Sequence, residues 1–313
     1  MADPNLVILG CGFTGTEVAR RAVAAGYRVI ATARQPERRQ ALERSGVDLH
    51  VVPTLTSDLV RRWAGPHADV LVAFPPDGRT DAEIAPALAQ AAHVVYVSTT
   101  GVYGARRGHI DEATPVDPAE PRARERLAAE HSYRGAGATI LRAAGIYGPG
   151  RGLHSRILKG TYRIPGDGTG VVSRIHVSDL AEMVLAVFRR ARTEKRDRGL
   201  DAPASRAPEQ RTRGEVFVVA DDAPVPQIEV IAWLCRRLEL PMPPHVELDE
   251  APVTLRHDRA IDNRRIKSWT GLSLLYPSYR EGFESCLAEL SVNPPGFFAP
   301  PRETPPGSPR RSG

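Results

Sequence analysis

Six residues near the N-terminus limit what this chain can fold into more than any others: Gly10-Cys11-Gly12-Phe13-Thr14-Gly15, a G-x-G-x-x-G loop. It lies between an apolar run at 5–9, which suits a buried parallel strand, and a stretch of helical character at 16–25. Each glycine in such a loop has its own physical role. Gly10 permits the tight turn, Gly12 keeps side chains away from a pyrophosphate, and Gly15 lets the helix pack close to the strand. The helix N-terminus then presents free amides and a positive dipole end to the phosphates. The loop therefore predicts a dinucleotide site with contacts at Gly10, Gly12, Phe13, Thr14 and Gly15. Cys11 reads as a small residue of the turn.

The rhythm that begins here repeats. Strands are expected at 29–31, 49–52, 70–73 and 94–97, with helices at 36–44, 57–64, 82–91 and 118–133, then a strand at 138–142. Strands alternating with helices predict an α/β chain with a doubly wound parallel sheet and right-handed crossovers. After Gly150 the alternation loosens. A helix is expected at 177–190, with Ser178 or Asp179 as its cap, then a strand at 215–219 and a helix at 227–238. The predicted organisation is a dinucleotide-binding α/β domain over 1–150 and a smaller region over 151–292, partly interleaved with the sheet. Residues 192–213 read as a disordered insertion, poor in large apolar side chains. Residues 293–313 hold seven of the 28 prolines and read as a disordered tail.

Charge bears on the choice of partner. The chain of 313 residues has a net charge of +5, which alone hints at nucleic acid. Residues 189–213 carry a net +5 and residues 293–313 a net +2, so the remainder is close to −2. The body is mildly acidic, and the expected partner is a small molecule, with neither nucleic acid nor membrane. No run approaches the roughly 18–20 apolar residues of a membrane span. The three cysteines are too few and too scattered for a disulfide framework or a zinc site, so no metal is expected. The chain reads as cytoplasmic.

The carboxylate that usually binds the adenosine ribose is expected about 20 residues beyond the loop. That region reads Ile30-Ala31-Thr32-Ala33-Arg34, without an acid. Arg34 offers a guanidinium suited to a 2′-phosphate, with Arg38 or Arg39 to assist, so NADP(H) is expected over NAD(H). Phe74-Pro75-Pro76, just past the fourth strand, is expected to line the adenine side of the cleft, which assigns Phe74 and Pro75 to the cofactor.

Three further segments complete the pattern: Ser98-Thr99-Thr100-Gly101-Val102-Tyr103-Gly104, Arg142-Ala143-Ala144-Gly145-Ile146-Tyr147-Gly148-Pro149-Gly150, and Arg174-Ile175-His176-Val177-Ser178-Asp179. With the glycine loop, and in this order, they resemble the extended short-chain dehydrogenase/reductase superfamily of NAD-dependent epimerases and dehydratases. The resemblance spans about residues 5–290 and implies a Rossmann domain over 1–150 that holds a nicotinamide cofactor, with the smaller region over 151–292 shaping the substrate pocket. It places Thr99 or Thr100 at the substrate-binding hydroxyl position, Ser98 and Arg126 beside the cofactor, and Tyr103 and Tyr147 at the nicotinamide end. Arg174 and His176 would lie near the substrate phosphate or pocket wall. A homodimer through the helices after strands four and five is also implied.

The departure from that family is specific. Its Tyr-x-x-x-Lys pair belongs on the helix after strand five, where this chain carries Arg122 and Arg126. Arginine stays protonated at neutral pH and is a poor acid or base; losing such a group typically costs about 10²- to 10⁴-fold in rate. The chain thus resembles the atypical subgroup without the active-site tyrosine. Thr99, Thr100 and Tyr147 are the catalytic candidates for a modified mechanism on a polar carbonyl or nucleotide-sugar-like substrate. The alternative is a catalytically silent NADP(H)-binding regulatory or scaffold protein.

Overall fold

A computed structural model describes residues 5–35, 42–197 and 214–292 of the chain. Seven parallel strands form its central layer: β1 (Asn5–Leu9), β2 (Arg28–Ala33), β3 (Val47–Val51), β4 (Ala68–Val72), β5 (His93–Thr99), β6 (Thr139–Ala143) and β7 (Val216–Val219). The sheet order is β7-β6-β5-β4-β1-β2-β3. β1 pairs in parallel with both β2 and β4, so the winding reverses direction at β1. In an open parallel sheet that reversal leaves a crevice beyond the carboxyl ends of the strands. The crevice is lined by Gly10 of the chain's first motif, by the end of β2 and by the residues after β4.

The apolar runs become strands because both faces of the sheet are covered. All five residues of β4 are buried. On one face α1 (Phe13–Ala24) packs beside the long helix α6 (Val177–Asp197), burying Val18, Ala22, Leu180, Val184 and Phe188. On the other lie α2 (Ser57–Trp63), α3 (Thr80–Leu88) and α4 (Pro121–Gly135), which bury Val60, Ile84, Leu88 and Tyr133 against the sheet. A third cluster forms the C-terminal region, where α5 (Leu153–Leu158), α7 (Gln227–Leu238) and α9 (Tyr279–Val292) meet around Tyr147, Tyr162, Leu234 and Phe283. A short helix α8 (Arg264–Thr270) packs near β7. No helix among the described residues is long and apolar enough to cross a membrane.

Most expected elements appear within two or three residues of their expected ends. Two differences have clear causes. Helix α6 runs to Asp197, so the start of the stretch expected to lack structure is helical. Arg192 anchors it there, pairing with buried Asp69 and donating to Tyr27 Oη at 3.2 Å. The rest of that stretch, the tail, and Arg38 and Arg39 lie outside the described residues. Second, neither Ser178 nor Asp179 caps α6. The Ser178 hydroxyl donates to Glu17 (2.8 Å), and the Asp179 carboxylate accepts the amides of Leu275 (2.7 Å) and Tyr276 (2.9 Å). His176 Nδ1 accepts the Ser178 amide instead, at 3.2 Å. The last strand of the parallel sheet, β7, comes from residues well beyond 150.

Under the end of β5 sits a buried ion pair. Arg142 of β6 grips Glu130 of α4 with Nε–Oε1 at 3.0 Å and Nη2–Oε2 at 2.7 Å, and the Ser98 hydroxyl donates to the same carboxylate at 2.6 Å. Arg142 Nη1 also donates to Tyr103 Oη (3.1 Å), which in turn donates to the Asp111 carbonyl (3.1 Å). Removing one partner of such a pair strands the other in low dielectric. Glu130→Ala is expected to lower unfolding stability by about 3–5 kcal/mol, measured by urea denaturation; a loss below about 1 kcal/mol would show that the network is not holding the sheet.

Candidate functional site

The glycine loop is built as its residue types require. Gly10 has φ +95°, a backbone favourable to glycine, and a Cβ there would stand 2.8 Å from Cβ of Phe74. A Cβ on Gly15 would stand 2.6 Å from the Gly10 carbonyl oxygen and 3.1 Å from Ile8. These two glycines are dictated by packing. Gly12 is different: a Cβ there would meet nothing within 4 Å. Its lack of a side chain serves no neighbour among the described residues, and leaves open the space in front of α1. That helix starts with no side-chain cap and no acid in its first turn, so its amides and positive dipole end face this space unopposed. Thr32 of β2 fixes the loop from beside, its Oγ1 accepting the Gly10 amide at 3.1 Å.

From Gly10 a cleft of about 470 Å³ runs along the ends of β1 and β2. Thr32, Ala33 and Arg34 line one wall, and Phe74, Asp77, Arg79 and Glu83 the other. Arg34 stands at the end of β2, 64% exposed, with Nη2 3.7 Å from Asp77 Oδ2. Phe74 packs on Gly10, whereas Pro75 is exposed and outside the cleft lining. A pyrophosphate over Gly12 with its adenosine toward Arg34 fits this shape and these donors. A second depression of about 330 Å³ begins beside the loop, where Arg151 lies over the Phe13 ring at 4.9 Å. Arg151, Arg156, Lys159 and the Ser155 hydroxyl line it, with no acid in its lining.

The residues expected at the chemical end divide into two groups. Thr99 closes β5 and its Oγ1 accepts the Gly101 amide at 3.1 Å; Thr100 opens a 3₁₀ turn, and both are half-buried. A hydroxyl that accepts an amide still has its own proton to donate. Arg126 leans on β5, donating from Nη1 to Tyr96 Oη at 2.8 Å.

Ser98, Tyr103 and Tyr147 are placed differently from the expectation. Ser98 is buried and its hydroxyl is committed to Glu130, so the side chain does not reach the cleft. The Tyr103 phenol is locked between Arg142 and the Asp111 carbonyl. Tyr147 is 3% exposed and packs against Phe283 with ring centroids 4.4 Å apart; its hydroxyl, buried without a partner, points at Gly282 of α9. Burial drives its pKa upward, with Asp221 adding to the shift, which makes it a poorer proton donor than a free phenol. Tyr147 is therefore corrected from catalytic phenol to core aromatic, because the apolar strand that carries it turns into the C-terminal cluster.

Arg174 and His176 are likewise interior. The Arg174 guanidinium lies over the Tyr279 ring at 5.8 Å, and burial lowers the His176 pKa to about 4, so the imidazole is neutral. Asp111 caps its loop, accepting the amides of Ala113 and Thr114. Asp77, Arg79 and Arg151 join the site with no sequence signal, because they lie far along the chain from Arg34 and Phe13 and carry no motif of their own.

The comparisons bear on the fold and the family. The sequence model of the NAD dependent epimerase/dehydratase family matches residues 6–199, well over half of the chain. Among curated proteins, Protein YeeZ of Escherichia coli (strain K12) is 29% identical over 197 residues, which cover 56% of this chain and 70% of that protein. Among solved structures, a functionally unknown conserved protein from Silicibacter pomeroyi DSS is 31% identical, with a TM-score of 0.73 over 91% of this chain and 99% of its own. UDP-glucuronic acid 4-epimerase from Bacillus cereus, solved in complex with NAD, is 16% identical with a TM-score of 0.70 over 92% of this chain and 99% of its own; at that identity it shows the fold alone. The chain belongs to the NAD dependent epimerase/dehydratase family.

If packing dictates Gly15 and ligand space dictates Gly12, the two respond oppositely to substitution. Gly15→Ala is expected to lose on the order of 1–3 kcal/mol of stability through overpacking. Gly12→Val is expected to change stability by less than about 1 kcal/mol yet abolish saturable binding of a nicotinamide dinucleotide. Thermal melting and equilibrium titration of both variants check this, and a Gly12→Val protein that binds as the parent does would contradict it.

Proposed function

We propose that this member of the family is an oxidoreductase or epimerase that binds NADP(H) in preference to NAD(H). Its substrate is a polar, phosphate-bearing carbonyl or sugar, nucleotide-sugar-like in kind, held beside the glycine loop. The observation that carries the cofactor preference is Arg34 on the wall of the cleft, at the end of β2, where an acid would be needed to favour a ribose 2′-hydroxyl. Family membership favours an enzyme over a silent binder. The three cations of the second depression support an anionic substrate group next to the loop.

The chain's own residues then have defined tasks. Gly12 and the α1 amides receive the pyrophosphate, and Arg34 the 2′-phosphate. The bound nicotinamide supplies or accepts the hydride. Thr99 holds its oxygen on the Gly101 amide and directs its proton to the reacting oxygen of the substrate; Thr100 adds a second hydroxyl from the first residue of the turn. Arg126 keeps a positive charge against β5 where the superfamily places lysine, fixed by Tyr96. A hydroxyl is a weaker acid–base group than a tyrosine beside a lysine, so turnover by this route is slow relative to the superfamily's usual enzymes.

Titration with NADPH and NADH tests the cofactor assignment. Tighter NADPH binding is expected in the parent. Arg34→Ala is expected to weaken NADPH by about 10- to 100-fold, the loss of a charged hydrogen bond, and to leave NADH within about threefold. Tighter NADH binding by the parent would overturn the assignment.

A further inference from the structure

The fold returns to the end of β2 the carboxylate that the sequence lacks there. Asp77, on the loop between β4 and α3, lines the same cleft as Arg34 and faces its guanidinium. We propose that Asp77 is a specificity-determining residue for the cofactor: it competes with an adenosine 2′-phosphate for Arg34, and so holds the preference for NADPH below what Arg34 alone would give. This inference rests on the cofactor reading above.

Three observations support competition. First, the Asp77 charge cannot easily move away. Oδ1 accepts the amides of Arg79 (3.1 Å) and Thr80 (2.7 Å), and Oδ2 accepts the Thr80 hydroxyl (2.7 Å), so the carboxylate is the anchored cap at the start of α3. Partial burial acts to raise its pKa, but the Thr80 and Arg79 bonds outweigh this and hold it below the usual carboxylate range. Second, the pair with Arg34 is long and exposed, 3.7 Å with 64% and 39% of the two side chains open to solvent. Such a contact is easily given up by the arginine, which is free to turn to a better anion while the aspartate stays. Third, among the described residues the charged side chains lining the cleft are balanced, with Arg34 and Arg79 against Asp77 and Glu83. A 2′-phosphate beside these four meets as many negative groups as positive ones. Neutralising Asp77 leaves one excess cation beside the phosphate. For a ribose 2′-hydroxyl the sign is opposite, because Asp77 is an acceptor within the cleft and its loss removes a hydrogen-bond partner.

The experiment uses the full chain and Asp77→Asn, which keeps an amide oxygen to cap α3 and removes the charge. Kd values for NADPH and NADH are measured by calorimetric titration at one ionic strength. The expected result is a rise of about fivefold in the NADPH-over-NADH affinity ratio, the size of one close charge contact in water. The same gain is expected with 2′,5′-ADP, which places it at the adenosine end. An unchanged ratio overturns the proposal, as does weaker NADPH binding, which would make Asp77 an orienting partner of Arg34. Asp77→Ser, which keeps a capping hydroxyl, gives the same reading if the asparagine variant melts early. A parent protein that binds neither cofactor overturns the cofactor reading and this inference with it, and is seen before any variant is made.

Discussion

Everything at the functional end of this molecule depends on how closely three backbone segments meet above β1. The Gly10 carbonyl sits beneath Gly15 of the first helix, and Gly10 itself lies against the backbone of Phe74 after β4. No side chain fits at either place, so the helix N-terminus is drawn down over the strand ends. The same crossing is the point where the sheet reverses its winding, which opens the crevice. Close packing and ligand space are thus two results of one constraint, and Gly12 is the position where the first gives way to the second.

A second device holds the far side of that crevice. The Glu130–Arg142 pair, with Ser98 and Tyr103 attached, ties α4, β5, β6 and the 3₁₀ turn into one buried network. Satisfied on all sides, such a network is rigid; half-satisfied, it would be a liability. It lies beneath Thr99 and Thr100 and leaves their hydroxyls out of its own bonding. The residues expected to contribute chemistry and those that hold the chemistry in place are therefore neighbours in sequence with opposite orientations. That follows from the alternation of side chains along a strand.

This alternation also explains what could be read from the sequence and what could not. The glycine loop, the alternating strands and helices and the position of Arg34 are local patterns, and the fold respects them. Asp77 and Arg79 join Arg34 only because β2 and β4 flank β1 in the sheet, an adjacency that no local pattern records. Ser98 was misplaced because one residue's shift along β5 moves a side chain from the crevice to the interior. Tyr147 was misplaced for a different reason. Its motif is real, but the C-terminal helix α9 closes over it, with Gly282 against the phenol. The cap of α6 illustrates the same limit: Ser178 and Asp179 have the right chemistry, but Glu17 and the 275–276 backbone claim them first.

A nicotinamide dinucleotide in the pose proposed above would run from Arg34, in the cleft beside Gly10, past Gly12, with its nicotinamide toward Thr99 and Thr100. A crystal structure of the protein grown with NADPH tests it most directly. The expected result is the pyrophosphate over Gly12, the 2′-phosphate on Arg34, and the nicotinamide C4 open toward the hydroxyls of Thr99 and Thr100. A nicotinamide ring packed shut by side chains, or a 2′-phosphate directed to solvent with Arg34 still on Asp77, would contradict it.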